Sequence, residues 1–289
     1  MKLSLILLIL LSAGLHVYWN LLVKKSDERL CFLWWMYLVS FLLLPFVILF
    51  IPAITAMTPL AWLVVCLSAL VHFLYTVTLS YAYDNGDLSL VYPLARSAPL
   101  FVMLGAILFL GEKPSIAGLI GIILTVVGAY VIGLKSLTIR QIIQPMVMLK
   151  NRAYQLALLT AFVTAAYSII DRIGVSLIDP FTFIVLLLCV EALFFTPFVM
   201  WKKKKAIVRE WQKNKKEILI AGMTRFISYL LILYVMLQAQ LSYIVAVRQI
   251  SIVLAVITGS VMLQEAHLKT RMVGSFGILA GVVLIGAKG

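Results

Sequence analysis

The chain has 289 residues, 64% of them hydrophobic and only 12% charged, with a formal net charge of +13. A soluble domain of this length exposes too much surface to be built from so few polar residues, so composition excludes a water-soluble globule. The positive balance does not point to nucleic acid, because eight of the 24 basic residues crowd into the segment from Lys202-Lys203-Lys204-Lys205 to Lys216; basic clusters between apolar blocks mark loops held near anionic headgroups.

Ten apolar blocks follow in chain order: 3–22, 32–51, 60–82, 88–110, 115–134, 153–173, 180–201, 217–238, 241–263 and 270–287. Each is close to the roughly 20 residues that carry a helix across a hydrocarbon core about 30 Å thick. Only helices and closed barrels satisfy every backbone group in lipid, and these blocks are too long for barrel strands. The predicted fold is an all-α polytopic membrane protein of ten transmembrane helices. The start, Lys2 followed by an apolar run, has the look of a signal peptide, but apolar sequence continues through Leu22 and Val23 and reads as the first span.

A charge at the bilayer centre costs roughly 2.5–3.5 kcal/mol on insertion scales, so polar residues inside the spans are expected to face one another. Ser12, His16, Trp19 and Asn20 share one face of the first span, and His72, Tyr75 and Thr76 cluster on the third. In the fourth, Tyr92-Pro93-Leu94-Ala95-Arg96-Ser97-Ala98-Pro99 sets a charge between two prolines, which predicts a kinked or locally opened helix. Thr160, Thr164, Tyr167, Ser168 and Asp171 line one face of the sixth span. Glu191 stands at the middle of the seventh, out of reach of either interface, and is expected either to neutralise an arginine or to bind a proton or cation. The eighth span clusters Arg225, Ser228 and Tyr229; the ninth carries Arg248, Ser251 and Ala255 on one stripe, without prolines. Glycines fill the fifth and tenth spans, and Gly277-x-x-x-Gly281 is a close-packing pattern. Packing within the chain is its first reading; monomer and homodimer both stay open.

The two halves repeat. At an offset of 153, His72-Phe73 meets Arg225-Phe226, Glu112 meets Glu265, and Gly121, Gly128 and Gly133 meet Gly274, Gly281 and Gly286; one residue of slippage pairs Arg96 with Arg248. At an offset of 148, Ser12 meets Thr160 and Trp19 meets Tyr167. The halves are read as residues 1–137 and 153–289, joined by a linker at 138–152. Five is odd, so the halves must cross the membrane in opposite senses: two inverted five-helix repeats around a central cavity, with the substrate near the midplane.

No catalytic constellation is visible, and no cofactor or metal is implied. Cys31, Cys66 and Cys189 lie isolated in apolar stretches, and His16, His72 and His267 have no ligand-like neighbours.

Leu15-His16-Val17-Tyr18-Trp19-Asn20-Leu21-Leu22-Val23-Lys24, then Gly86-Asp87-Leu88-Ser89-Leu90-Val91-Tyr92-Pro93-Leu94-Ala95-Arg96, resemble the drug/metabolite transporter superfamily, EamA type, as do Gly111-Glu112-Lys113-Pro114 and Gln264-Glu265 at the acidic end-of-helix positions. The resemblance implies ten helices in two inverted repeats, and facilitated or proton-linked movement of metabolites such as amino acids, sugars or nucleobases. Small multidrug relatives carry a glutamate in their first helix where this chain has Asn20, which weighs against drug-cation export.

The functional expectation is a secondary transporter of a small polar, anionic or zwitterionic metabolite in a bacterial inner membrane, working by alternating access. Arg96, Arg225 and Arg248 outnumber Glu191 and Asp171, which favours a carboxylate, phosphate or phosphonate group. Trp19, Tyr75, Tyr92, Tyr167 and Tyr229 are expected to pack against the rest of the substrate, and His16, Asn20, His72, Ser168 and Ser251 to supply polar contacts. The alternatives are a proton-coupled drug or cation exporter using Glu191, and a membrane subunit handling lipid-linked intermediates. The expected partners are the substrate and membrane lipids. Odd-numbered loops carry 17 basic residues against four in the termini and even-numbered loops, which places both termini outside the cytoplasm, whereas many members of the superfamily suggest cytoplasmic termini.

Overall fold

The structure, a computed structural model, describes residues 1–43, 45, 57–85, 88–147, 151–263 and 268–289. Gly86-Asp87, Gln264-Glu265, His267 and the end of the block 32–51 lie outside the described residues. All regular structure among the described residues is helical: α1 (Leu3–Lys25), α2 (Arg29–Leu38) with a 3-10 turn (Val39–Leu43), α3 (Pro59–Asn85), α4 (Leu88–Ala95), α5 (Ala98–Leu110), α6 (Ile116–Gly133), α7 (Ile139–Val147), α8 (Arg152–Leu177), α9 (Pro180–Met236), α10 (Leu241–Val247), α11 (Ile250–Leu263) and α12 (Leu268–Lys288). Eight stretches among them are long and apolar enough to cross a membrane, and Arg29–Leu43 and Leu241–Ile257 are shorter apolar stretches. Large apolar side chains point outward, Leu108 and Phe109 each 75% exposed, as lipid-facing residues do.

Three features depart from the block pattern. The fourth block is two helices, α4 and α5, parted at Arg96-Ser97; the ninth is likewise parted at Arg248-Gln249, with no proline to require it. The seventh and eighth blocks form one element, α9, whose chain must turn back on itself. Glu191 and Arg225 are 34 residues apart, about 51 Å along a straight helix, yet their side chains meet at 2.8 Å. The reversal therefore lies between Glu191 and Arg225, and α2 hydrogen-bonds to the same stretch, Trp34 Nε1 donating to Thr196 Oγ1 at 2.9 Å and Trp35 Nε1 to the Ile207 carbonyl at 3.0 Å. The basic segment expected as a loop is therefore helical from Ala206, in a stretch that runs to Met236, about 46 Å and longer than the hydrocarbon core. Lysine, arginine and glutamate favour helix as well as leucine does, so hydropathy finds where apolar sequence stops rather than where helix stops.

Two compact units are interleaved along the chain: residues 1–10, 74–169 and 238–289 form the first, and 11–73 and 170–237 the second. Each draws on both sequence halves. The segment 138–152 carries α7.

In the first unit, α6 and α12 are held together by backbone contact. A Cβ on Gly128 would lie 2.5 Å from the Gly274 carbonyl oxygen, and one on Gly281 would lie 2.5 Å from that of Gly121. Small residues permit this approach, and dispersion between the backbones rewards it. These glycines thus pack within the chain. At the end of α5, Gly111 is left-handed (φ 66°), and the Glu112 amide donates to the Ala106 carbonyl at 3.1 Å, a Schellman closure that favours glycine. The turn delivers the Glu112 carboxylate to the start of α10, where it accepts from the amides of Leu241 and Ser242 and from the Ser242 hydroxyl at 2.6 Å. A negative group there complements the helix dipole.

The second unit is built from aromatic and apolar packing. Phe32, Met36 and Val39 bury against Ile218 and Ala221, with Trp19, Trp35 and Trp211 packed around them. Ser12 and Ser228 exchange hydroxyl-to-carbonyl hydrogen bonds at 2.7 and 2.9 Å, which ties α1 to the returning arm of α9. At the surface, Lys213 meets Asp27 at 2.5 Å and holds its carboxyl below the usual carboxylate range. The pair is exposed and screened, so its small contribution is present above the ordinary carboxylate pKa and lost on acidification.

Gly128→Ala is expected to destabilise the protein by about 1–3 kcal/mol through backbone overlap, whereas Gly14→Ala, with nothing within 4 Å of the added Cβ, is expected to be neutral. Thermal unfolding in detergent checks both, and equal melting temperatures for the two variants would remove the glycine seam from the account.

Candidate functional site

The second unit contains a buried chain of ionisable side chains contributed by α3, α8 and both arms of α9. Ser68 and His72 are four residues apart on α3 and share a face, as do Arg225 and Tyr229 on α9. Asp171 is 0% exposed, Glu191 1% and His72 9%. His72 Nε2 lies 3.0 Å from Asp171 Oδ2, and its Nδ1 lies 3.4 Å from Glu191 Oε1. Asp171 also accepts hydrogen bonds from the Ser68 and Tyr229 hydroxyls. Glu191 accepts from Arg225 Nη2 at 2.8 Å, and the guanidinium sits 4.1 Å from the centre of the Tyr37 ring. The Tyr37 face attracts the cation, and Tyr37 in turn stacks on Phe195 with ring centres 4.9 Å apart.

Ionised carboxylates have only acceptors, so the arrangement is read by counting donors. Asp171 is satisfied by two hydroxyls and an imidazole; Glu191 is satisfied by a guanidinium and faces the other imidazole nitrogen. Among the described residues of the unit, Arg225 Nη1, the indole Nε1 of Trp19 and the Thr182 hydroxyl are buried without a hydrogen-bond partner. Trp19 meets His16 edge-on at 4.9 Å, and Asn20, which is exposed, donates back to the His16 carbonyl at 2.7 Å. Among the described residues, no group of three or more histidine, cysteine, aspartate or glutamate side chains is arranged to hold a metal ion.

The first unit contains the two interrupted helices. Pro93 lies within α4, and the chain turns at Arg96-Ser97, where the Ser97 amide donates to the Leu94 carbonyl at 3.1 Å. At Arg248-Gln249 the Gln249 amide donates to Ala246 at 3.1 Å and the Ser251 amide to Arg248 at 3.0 Å, both to the third residue back. Tightened turns of this kind free carbonyls that a regular helix would use. The buried Gln249 side chain donates to the Arg96 carbonyl at 2.8 Å, joining the two interruptions directly. Arg96 lies over the Tyr92 ring at 5.2 Å. Ser251 is buried just beyond the second break. Elsewhere in the unit Tyr75 and Tyr167 meet edge-on at 5.6 Å, and Ser168 is buried with its hydroxyl donating to the Thr164 carbonyl.

His72, Asp171, Glu191, Arg225 and Tyr229 are thus brought together in the second unit, with Trp19, His16 and Asn20 on α1 of the same unit. Tyr92, Arg96, Arg248 and Ser251 belong to the helix breaks of the first unit, as Tyr75, Tyr167 and Ser168 belong to α3 and α8 within it. Sequence reasoning missed Ser68, Tyr37 and Gln249. Ser68 and Gln249 were visible as polar residues four before His72 and next to Arg248, whereas Tyr37 carries no signal, being one aromatic in an aromatic-rich stretch.

The EamA-like transporter family model matches residues 3–134 and again residues 151–287, so the chain belongs to that family and is a membrane protein. A crystal structure of another protein shares the fold, with a TM-score of 0.76 over 98% of this chain and 96% of that one, at 14% sequence identity. No curated protein matches the sequence.

Arg225→Met leaves Glu191 buried beside His72 without its guanidinium, and is expected to destabilise by about 3–5 kcal/mol. Adding Glu191→Met should restore a large part of that loss. A double-mutant cycle on thermal unfolding measures it, and additive losses would show that the pair is not coupled.

Proposed function

We propose that this member of the EamA-like transporter family is a secondary transporter that moves a small polar metabolite bearing an anionic group, anionic or zwitterionic overall, across a bacterial cytoplasmic membrane by alternating access. The observation that carries the reading is the pair of helices interrupted at arginines, linked by the Gln249–Arg96 hydrogen bond. Interrupted helices present backbone dipoles and freed carbonyls at membrane depth, where irregular backbone is tolerated only inside protein or beside a cavity. A guanidinium at each break adds the charge and forked donors that suit a carboxylate or phosphate.

The internal symmetry supports ten spans arranged as inverted repeats. Arg96 and Arg248 are repeat-related, and both stand where a helix is parted. The polar crossing of α1 with α9 at Ser12 and Ser228 has its counterpart, one helical turn displaced, in the hydrogen bond from Thr160 on α8 to Thr78 on α3 at 3.1 Å. Counting the shorter apolar stretches Arg29–Leu43 and Leu241–Ile257 with the eight longer ones supports a reading of ten. Mirrored halves with two nearly equivalent packings are the physical basis of alternating access.

A thermal-shift panel of carboxylates, amino acids and phosphates on purified protein identifies the class, because a ligand stabilises the state it binds. Sealed liposomes then test flux. Arg96→Gln and Arg248→Gln are each expected to weaken binding about 10- to 100-fold, the loss of one charge-assisted contact of about 1.5–3 kcal/mol. Folded variants with undiminished affinity for the stabilising anion would overturn the anionic reading.

A further inference from the structure

The buried cluster of the second unit has a proton count that its geometry fixes. His72 presents both ring nitrogens to carboxylates, Nε2 to Asp171 at 3.0 Å and Nδ1 to Glu191 at 3.4 Å. A neutral imidazole has one donor and one lone pair, so in that form one nitrogen would aim its lone pair at carboxylate oxygen. An imidazolium donates on both sides. Charge gives the same answer independently. Asp171 and Glu191 carry two negative charges against the single guanidinium of Arg225, and an uncompensated charge is strongly disfavoured at this depth. A proton on His72 closes the balance. Among the described residues, the Tyr229 hydroxyl lies 3.4 Å from Nε2, the Ser68 hydroxyl donates to Asp171 and the Tyr37 ring covers Arg225; these three groups are uncharged in their ordinary forms.

We infer that His72 is a proton-binding site, an imidazolium clamped between Asp171 and Glu191, and that Glu191 is the fixed counter-ion of Arg225 rather than the titrating group. Releasing the proton leaves a net negative charge and a misdirected lone pair, so the cluster gives it up only by rearranging or by admitting water or another cation. Protonation and access to the cluster are therefore linked. The inference rests on the carrier reading only in making this proton the coupling ion; whether His72 holds it is independent of transport.

The test uses the full chain in lipid bilayers with histidines labelled in 13C and 15N, read by solid-state NMR. There are three histidines in the chain, and His16→Gln with His267→Gln leaves His72 as the single signal. At neutral pH both its nitrogens are expected in the protonated range. In Glu191→Gln, the new amide can donate to Nδ1 while its oxygen keeps the contact with Arg225, and His72 is expected to lose one of its two N–H groups and become a single neutral tautomer. A wild-type His72 that is already one neutral tautomer at neutral pH overturns the inference, even if Glu191→Gln fails to fold. Because this measurement involves no flux, a protonated His72 in a protein that moves nothing would count against the carrier and leave the proton site standing.

Discussion

The ion pair between Arg225 and Glu191 is the contact around which the second unit is organised. It joins the outgoing and returning arms of α9, two stretches 34 residues apart, at 2.8 Å. Neither charge is tolerable at this depth alone, because the penalty for stripping water from an ion falls only when a partner and further hydrogen bonds replace it. Every neighbour extends that compensation: Tyr37 offers its ring face to the guanidinium, His72 bridges the two acids, and Ser68 and Tyr229 complete Asp171. The tryptophans of α2 settle the same hairpin from outside the cluster by hydrogen-bonding to Thr196 and the Ile207 carbonyl.

The first unit solves a different problem. Its seam between α6 and α12 has no side chain where Gly121, Gly128, Gly274 and Gly281 meet, so backbone touches backbone. Between lipid-soluble helices there is no hydrophobic drive to association, and close packing has to supply the attraction. Beside that seam lie α4, α5, α10 and α11, which are interrupted where a charge stands. A tightly packed scaffold with two parted helices is an economical way to hold irregular backbone in a membrane. The Glu112 cap on α10 completes it by satisfying amides that the short helix leaves open.

Interleaving of the units explains why the repeat matters physically. Each unit takes helices from both sequence halves, so positions related by the sequence repeat can meet inside one unit. His72 and Arg225 are repeat-related, and both now touch Glu191. One position holds a guanidinium and the other an imidazole, so related positions present different donors to the same carboxylate.

Much of this was determined by the sequence alone. Long apolar blocks dictate helices, because lipid offers backbone groups no alternative partner. Paired offsets of glycine, arginine and glutamate expose the repeat, and Pro93 predicts the break in the fourth block, since it removes a donor locally. The inward-facing polar stripes also follow from spacing, and they name His72, Asp171, Arg225 and Tyr229 of the buried cluster. What tertiary structure decided is which residue meets which. Nothing local requires a break at Arg248-Gln249, and it became legible only with Gln249 bonded to the Arg96 carbonyl. The pairing of Glu191 with Arg225 rather than with Arg96 or Arg248, and the position of His72 between two acids, depend on how helices distant in sequence are brought together. Periodicity encodes the face of a helix, but the partner of that face is set by packing across the chain.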